Sequence, residues 1–270
     1  MGVYMPRGGP KAAWWDRLYE TDRPEYIDQP SRAAEAAKVL RGLDRFQRLS
    51  RAYRVCSRLT LAEAAGVKQP RILELGAGRG RLTQRLLSDC PTARVTVSDV
   101  SALSVDALRA GPLGQDSRVE MRVLDATRID APDDSWDVAV FAMALHHLTP
   151  DQVVQVMVEG TRVARRLLII DGWRNPGFLA IVPIFFLTGG LVQAHDGLIS
   201  LRKVYSAEAL KALASQSQIP VTVRCRFSLP GYLVAAFSTV STVRLPVAGQ
   251  ESEEQRRFGY DCARNQETIG

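Results

Sequence analysis

The sequence predicts an α/β protein built on a mostly parallel sheet, and three observations predict it. Short β-branched and aliphatic runs alternate with helical spacing from Arg71 to Asp171, an order that places crossover helices between parallel strands. A glycine-rich turn, Gly76-Ala77-Gly78-Arg79-Gly80, stands where the first run ends and a helical pattern begins. Acidic residues, Glu74, Asp99 and Asp125, mark the ends of the first three runs.

The elements follow in order. Residues 1–30 carry Pro6, Pro10, Pro24 and Pro30 among Trp14, Trp15, Tyr19 and Tyr26, which reads as an irregular arm with one helical turn, outside the core. From Ser31 to Ala65 there is no proline, and Ala37, Leu40, Leu43, Ala52, Val55 and Leu59 recur at helical spacing, so two or more helices precede the first strand. Residues 1–69 are thus an arm and helical cap. The domain proper, 70–245, begins with a strand at 71–75, then helix 81–89, strand 94–99, helix 102–110, strands 119–124 and 136–143, helix 150–163 and strand 166–171. Thr149-Pro150-Asp151-Gln152 signs one helix start, with an N-cap, a first-turn proline and a capping-box glutamine.

Residues 172–204 interrupt the rhythm as an insertion after the fifth strand. They hold Asn175-Pro176-Gly177, the apolar run from Phe178 to Leu187 and Gly189-Gly190. That run is shorter than the ~18 residues a spanning helix needs and contains Pro183, so a buried cover is expected. A helix capped by Ser206 and an antiparallel strand pair, 221–223 and 232–237, close a sheet of seven strands. Residues 246–270 read as a frayed polar tail.

Composition sets limits. Among 270 residues, 46% are hydrophobic and 24% charged, which excludes a disordered, collagenous or disulfide-scaffold chain. The net charge of +6 comes from arginines spaced by apolar and acidic positions, a solvated surface and not a phosphate track, so no nucleic-acid partner is expected. Cys56, Cys90, Cys225 and Cys262 form no CxxC pair, and no metal site is expected. The first residues lack the apolar core of a signal peptide, and Pro6 spoils a myristoylation pattern, so a cytoplasmic protein is expected. The oligomeric state is not legible.

The chemistry rests on the glycine turn and the acids. The glycines are spaced G-x-G-x-G, and Glu74 precedes the first by two, which departs from the dinucleotide fingerprint. Such a turn lets backbone approach a ligand closely, and Glu74 can meet a cationic group. Asp99 is placed to accept the hydroxyls of a ribose, and Asp125-Ala126 to accept from the exocyclic amine of adenine. Together they describe an adenosine that carries positive charge and no phosphate.

On these residues the chain resembles the class I S-adenosylmethionine-dependent methyltransferases. Ala142-Met143-Ala144-Leu145-His146-His147-Leu148 is similar to the segment after strand four in the small-molecule branch, which includes ubiquinone/menaquinone C-methyltransferases. The helices before the first strand and His195-Asp196-Gly197-Leu198-Ile199-Ser200 are similar to a bacterial subgroup associated with type III polyketide synthases. The resemblance implies a Rossmann-like seven-stranded sheet with a lid insertion, S-adenosyl-L-methionine as cofactor, and cofactor contacts at Glu74, Gly76, Ala77, Gly78, Asp99, Val100, Asp125, Ala126 and Ala142. It implies methyl transfer to oxygen or carbon of a small, aromatic or lipophilic acceptor. The Asn-Pro-Pro-Tyr type segment of amino-group and DNA methyltransferases is absent from Phe141-Ala142-Met143-Ala144. A nicotinamide-dependent oxidoreductase and a non-catalytic cofactor-binding module are the alternatives.

Where an acceptor must lose a proton, a base is required, and an imidazole suits it. His195, following the apolar cover and beside Asp196, is the first candidate, and His146 the second. His146 and His147 also have a plain reading as loop residues before a capped helix. Residues 178–187 read as a wall for an apolar acceptor or a shallow membrane contact, and Arg174, Arg202 and Lys203 as flanking charges, on the surface or facing a carboxylate.

Overall fold

The computed structural model describes residues 5–217 and 220–239. The expected tail at 246–270, the domain end at 245 and Cys262 lie outside them. Seven strands form one sheet: β1 (Arg71–Leu75), β2 (Arg94–Asp99), β3 (Val119–Val123), β4 (Trp136–Ala142), β5 (Ala164–Gly172), β6 (Val221–Ser228) and β7 (Tyr232–Thr239). Their order is β3-β2-β1-β4-β5-β7-β6, parallel through β5, with β7 antiparallel to β5 and to β6.

Parallel strands covered on both faces read as continuous apolar runs, and the side chains divide by the period of two. Ile72, Val138, Val140, Leu168 and Ile170 face one layer, with Cys56 and Leu59 of α3 (Ala52–Glu63), Leu82 and Leu86 of α4 (Arg81–Asp89) and Leu108 of α5 (Ala102–Arg109). Leu73, Leu75, Ala139, Phe141, Leu167 and Ile169 face the other, with Val153 and Met157 of α6 (Pro150–Val163) and Leu210 and Leu213 of α8 (Ala207–Gln216). The sheet is thus the middle of three layers. Helix α6 begins where its cap residues direct: Thr149 Oγ1 accepts from the Gln152 amide at 3.4 Å, and Gln152 Oε1 accepts from the Thr149 amide at 2.9 Å.

Two expectations are corrected. The arm contributes to the interior: Met5 joins the core, and Arg7, Asp16 and Glu25 are buried. Its helix α1 (Trp14–Tyr19) is anchored by Arg174, whose side chain is 2% exposed and whose Nε lies 3.0 Å from Asp16 Oδ1. Proline spacing revealed the lack of long helix but not these charge partners.

The second correction concerns 172–204. The apolar run does not end at Leu187 but continues as helix α7 (Val182–Lys203), broken at Gly190, whose φ is +75°. By length and composition alone 176–203 is long and apolar enough to cross a membrane. One face packs against α2 (Ala33–Leu49), but only 17% of its most apolar stretch is buried, so the cover is not the buried element expected. Gly42 and Gly189 allow the approach, since a Cβ on Gly42 would stand 2.9 Å from the Gly189 Cα. Arg45 donates to the Thr188 carbonyl at 3.0 Å, Phe185 meets Phe46 edge-on at 4.9 Å, and Gln193, Asp196 and Lys203 are buried.

Candidate active site

Strand order reverses between β1 and β4, and open α/β sheets bind ligands beside such a reversal, outside the carboxyl ends of the strands. The glycine turn lies there. Gly76 has φ +62°, and a Cβ on it would fall 2.8 Å from the Phe141 ring, so β1 and β4 converge only because the residue is glycine. Gly78 has φ +51°, and nothing stands within 4 Å of its Cβ position: this backbone faces open space. The Ala77 amide donates to the Ser98 carbonyl at 2.8 Å, fastening the turn to β2.

The acids surround this turn. Asp99 accepts from the Gly78 amide through Oδ2 and from the Ser101 amide through Oδ1, each at 2.9 Å. Asp125 uses Oδ1 for the Thr127 amide and hydroxyl, at 2.8 and 2.7 Å, and Oδ2 takes no hydrogen bond among the described residues. Glu74 is 4% exposed and accepts from the Thr83 hydroxyl. Burial pushes its carboxyl up to about 7 despite that bond. Val100 is exposed beside Asp99, while Ala126, Ala142 and Ala77 are half-buried around the turn. Ala142 ends β4, and Met143 follows with a φ of +58° that turns the chain toward His146.

Over the ends of β4 and β5 the structure assembles a second group, which the sequence showed only in part. His146 Nδ1 is 2.9 Å from Asp171 Oδ1, and its amide donates to Asp171 Oδ2 at 3.0 Å. Both side chains are buried. Burial opposes either charge, yet the pairing outweighs it, raising the imidazole and lowering the carboxyl from their ordinary values. The arm adds Glu25, 4.0 Å from His146 Nε2 and 3.8 Å from His147 Nδ1, and Asp28, 3.1 Å from His147 Nδ1. Although partly buried, Asp28 is held at about 2 by His147 and Lys203. Arg7 donates to the carbonyls of His146 and Lys203, at 3.2 and 2.7 Å.

His195 stands beside this group. Its Nδ1 is 3.2 Å from Asp196 Oδ1 and its ring stacks on Tyr26 at 4.7 Å, with the side chain 45% exposed. Asp196 is buried and accepts from the Tyr26 amide with both oxygens, at 3.0 and 2.9 Å, so it fastens the arm as well as facing His195. Burial raises its carboxyl against these bonds. The flanking cations are partnered internally, which corrects their surface reading: Lys203 is 3.7 Å from Glu25 and 3.4 Å from Asp28, and Arg174 holds Asp16. Asp171 ends a strand as Asp99 does, a signal the sequence carried. Glu25 and Asp28, in a proline-flanked arm, gave none. A cavity lined by Arg71, Arg94, Arg118 and Trp136 opens at the opposite, amino edge of the strands.

Residues 72–166 match the family described as methyltransferase domain. Among curated proteins the chain is similar to the ubiquinone/menaquinone biosynthesis C-methyltransferase UbiE of Ectopseudomonas mendocina (strain ymp), 29% identical over 130 residues, 46% of this chain and 50% of that protein. It is similar at the same identity to the protein so named in Pseudomonas putida (strain GB-1), over 44% of this chain and 48% of that one. The chain spans about half the length of these curated relatives. Among solved structures it is similar to the plantazolicin methyltransferase BpumL in complex with SAH, with a TM-score of 0.58, 11% identity and coverage of 79% and 92%. Human N-acetylserotonin methyltransferase in complex with SAM gives 0.55, 15%, 80% and 63%. At these identities the structural likeness establishes the fold.

Proposed function

We propose that this chain, whose residues 72–166 match a methyltransferase domain, is a class I S-adenosylmethionine-dependent methyltransferase that transfers a methyl group from that cofactor to oxygen or carbon of a small aromatic or lipophilic acceptor. The observation that carries the reading is the Gly76–Gly80 turn beside Asp99, with open space over Gly78, at the reversal between β1 and β4. The donor set fits. Asp99 would accept from the ribose hydroxyls and Asp125 Oδ2 from the adenine amine, Val100 and Ala126 would border the base, and Glu74 would meet the ammonium end.

Bound S-adenosylmethionine supplies an electrophilic methyl on a sulfonium, and the protein aligns the acceptor and excludes water. The arm and α7 bound the acceptor's side of the crevice. Exposed Phe186, Leu187 and Leu191 on α7 suit an apolar acceptor, or a membrane surface from which one is taken. The names of the curated relatives, C-methyltransferases of ubiquinone/menaquinone biosynthesis, agree with such an acceptor.

Where the acceptor has a proton to lose, His195 takes it. Its side chain is 45% exposed, whereas that of His146 is 7% exposed with Nδ1 committed to Asp171. His195→Gln is expected to cut kcat by about 10²–10⁴ at unchanged cofactor affinity. The test is methyl transfer from labelled cofactor to a panel of phenolic and quinol acceptors. Turnover that the substitution lowers in this way supports the reading, undiminished turnover removes His195 from the chemistry, and stoichiometric cofactor binding without turnover on any acceptor identifies a non-catalytic module.

A further inference from the structure

Glu25, His146 and His147 come from segments over a hundred residues apart, and their donor atoms converge. One ligand atom of each residue lies within 4.8 Å of the other two, and Glu25 Oε1 is 4.0 Å from His146 Nε2 and 3.8 Å from His147 Nδ1. A point between them is thus within about 3 Å of all three, so that small side-chain shifts bring the donors to the ~2.0–2.2 Å of imidazole and carboxylate bonds to zinc. Two of these atoms, Glu25 Oε1 and His147 Nδ1, are buried with no hydrogen-bond partner. Their present partners are ionic: Asp28 Oδ1 stands 3.1 Å from His147 Nδ1, and Lys203 Nζ 3.7 Å from Glu25 Oε1. Buried polar atoms normally make hydrogen bonds, and these two face one point with only ion pairs to satisfy them.

The surroundings suit a cation. Asp171 accepts from His146 Nδ1, which fixes the tautomer with the Nε2 lone pair turned to Glu25, and a carboxylate behind a ligating histidine raises its basicity. Ser200 Oγ donates to Glu25 Oε2 at 2.6 Å, orienting that carboxylate with Oε1 inward. Asp28 is the next oxygen donor. The charged groups facing the point are Glu25, Asp28 and Asp171 against Lys203, with Arg7 bound to neighbouring carbonyls.

We propose that Glu25, His146 and His147 bind a first-row divalent transition ion, which clips the arm to the carboxyl edge of β4. Two imidazoles and a carboxylate are the donor set for zinc, iron(II) or cobalt(II), and not for magnesium or calcium. Lys203 moves toward Asp28 Oδ2, already 3.4 Å away, as the ion takes Glu25 Oε1. The site is independent of the acceptor's identity and of methyl transfer itself.

The test uses the full chain, untagged and stripped of metal by dialysis. Titration with Zn²⁺ is followed by calorimetry, and titration with Co²⁺ by its visible ligand-field band, whose position reports nitrogen ligation. One tight equivalent is expected, with affinity reduced at least about 10-fold in Glu25→Gln and His147→Ala and about 10- to 100-fold in Asp171→Asn. His195→Ala keeps the wild-type affinity. Absence of saturable binding by the wild-type chain overturns the proposal and leaves an ion-pair cluster with Lys203 as its cation. The same holds if the substitutions leave affinity unchanged, or if His195→Ala weakens it equally. Should a substituted chain fail to fold, the wild-type titration decides alone.

Discussion

Glu74 ties stability to pH in the sense opposite to most carboxylates. Its carboxyl, ordinarily near 4.5, is raised to about 7 by burial. Between those values the folded chain keeps a proton that the unfolded chain has released. Stability in the absence of ligand therefore falls as pH rises through that window, by as much as about 3 kcal/mol. Denaturant unfolding at about pH 5 and about pH 8 reads this slope, and Glu74→Gln is expected to flatten it. An equal slope in the variant would show that another group sets it. A cationic ligand end beside Glu74 reverses the preference, so cofactor affinity is expected to rise over the same window. Residue identities at strand ends were legible because strand ends of parallel sheets share one edge; Glu74, Asp99 and Asp125 needed only their spacing. Asp171 obeys the same rule at the end of the run Leu167–Ile170, but its pairing with His146 was not legible, because it depends on the backbone turn at Met143.

Helix α7 separates packing from exposure within two residues. Phe185 is buried against Phe46, and Phe186 is 49% exposed. Phe185→Ala is expected to loosen α7 from α2 at a cost of about 3 kcal/mol, visible as a lower Tm. Phe186→Ala leaves Tm unchanged and raises KM for the acceptor more than for the cofactor. Equal changes in both KM values for Phe186→Ala would show that its side chain does not border the acceptor. The apolar run itself was plain in the sequence. Its continuation to Lys203 was not, because Gly189-Gly190 reads as a break, whereas a single positive φ at Gly190 lets helical turns resume. That continuation buries polar residues, Gln193 against α2 and Asp196 and Lys203 against an arm whose position no local pattern encodes.

At the scale of the whole molecule, the alternating α/β order was readable because each element is amphipathic or apolar with its own period. The docking of the arm was not readable, since it rests on charges far apart in sequence. Arg174 is the test of that docking. Arg174→Ala leaves Asp16 buried without its cation and is expected to cost about 3–5 kcal/mol, while the pair Arg174→Met with Asp16→Leu recovers most of it. No recovery in thermal unfolding would mean that the Arg174 bonds to the Arg202 and Val204 carbonyls, and not the ion pair, hold the arm. The central claim is that the crevice between β1 and β4 takes an adenosine bearing a sulfonium. Calorimetric titration with S-adenosylmethionine, its demethylated product and NAD measures this directly. The account predicts one equivalent of each of the first two, NAD binding more weakly, and a loss of about 1–3 kcal/mol in Asp99→Ala. Tighter binding of NAD, or an Asp99→Ala chain that binds the methyl donor as the wild type does, would contradict it.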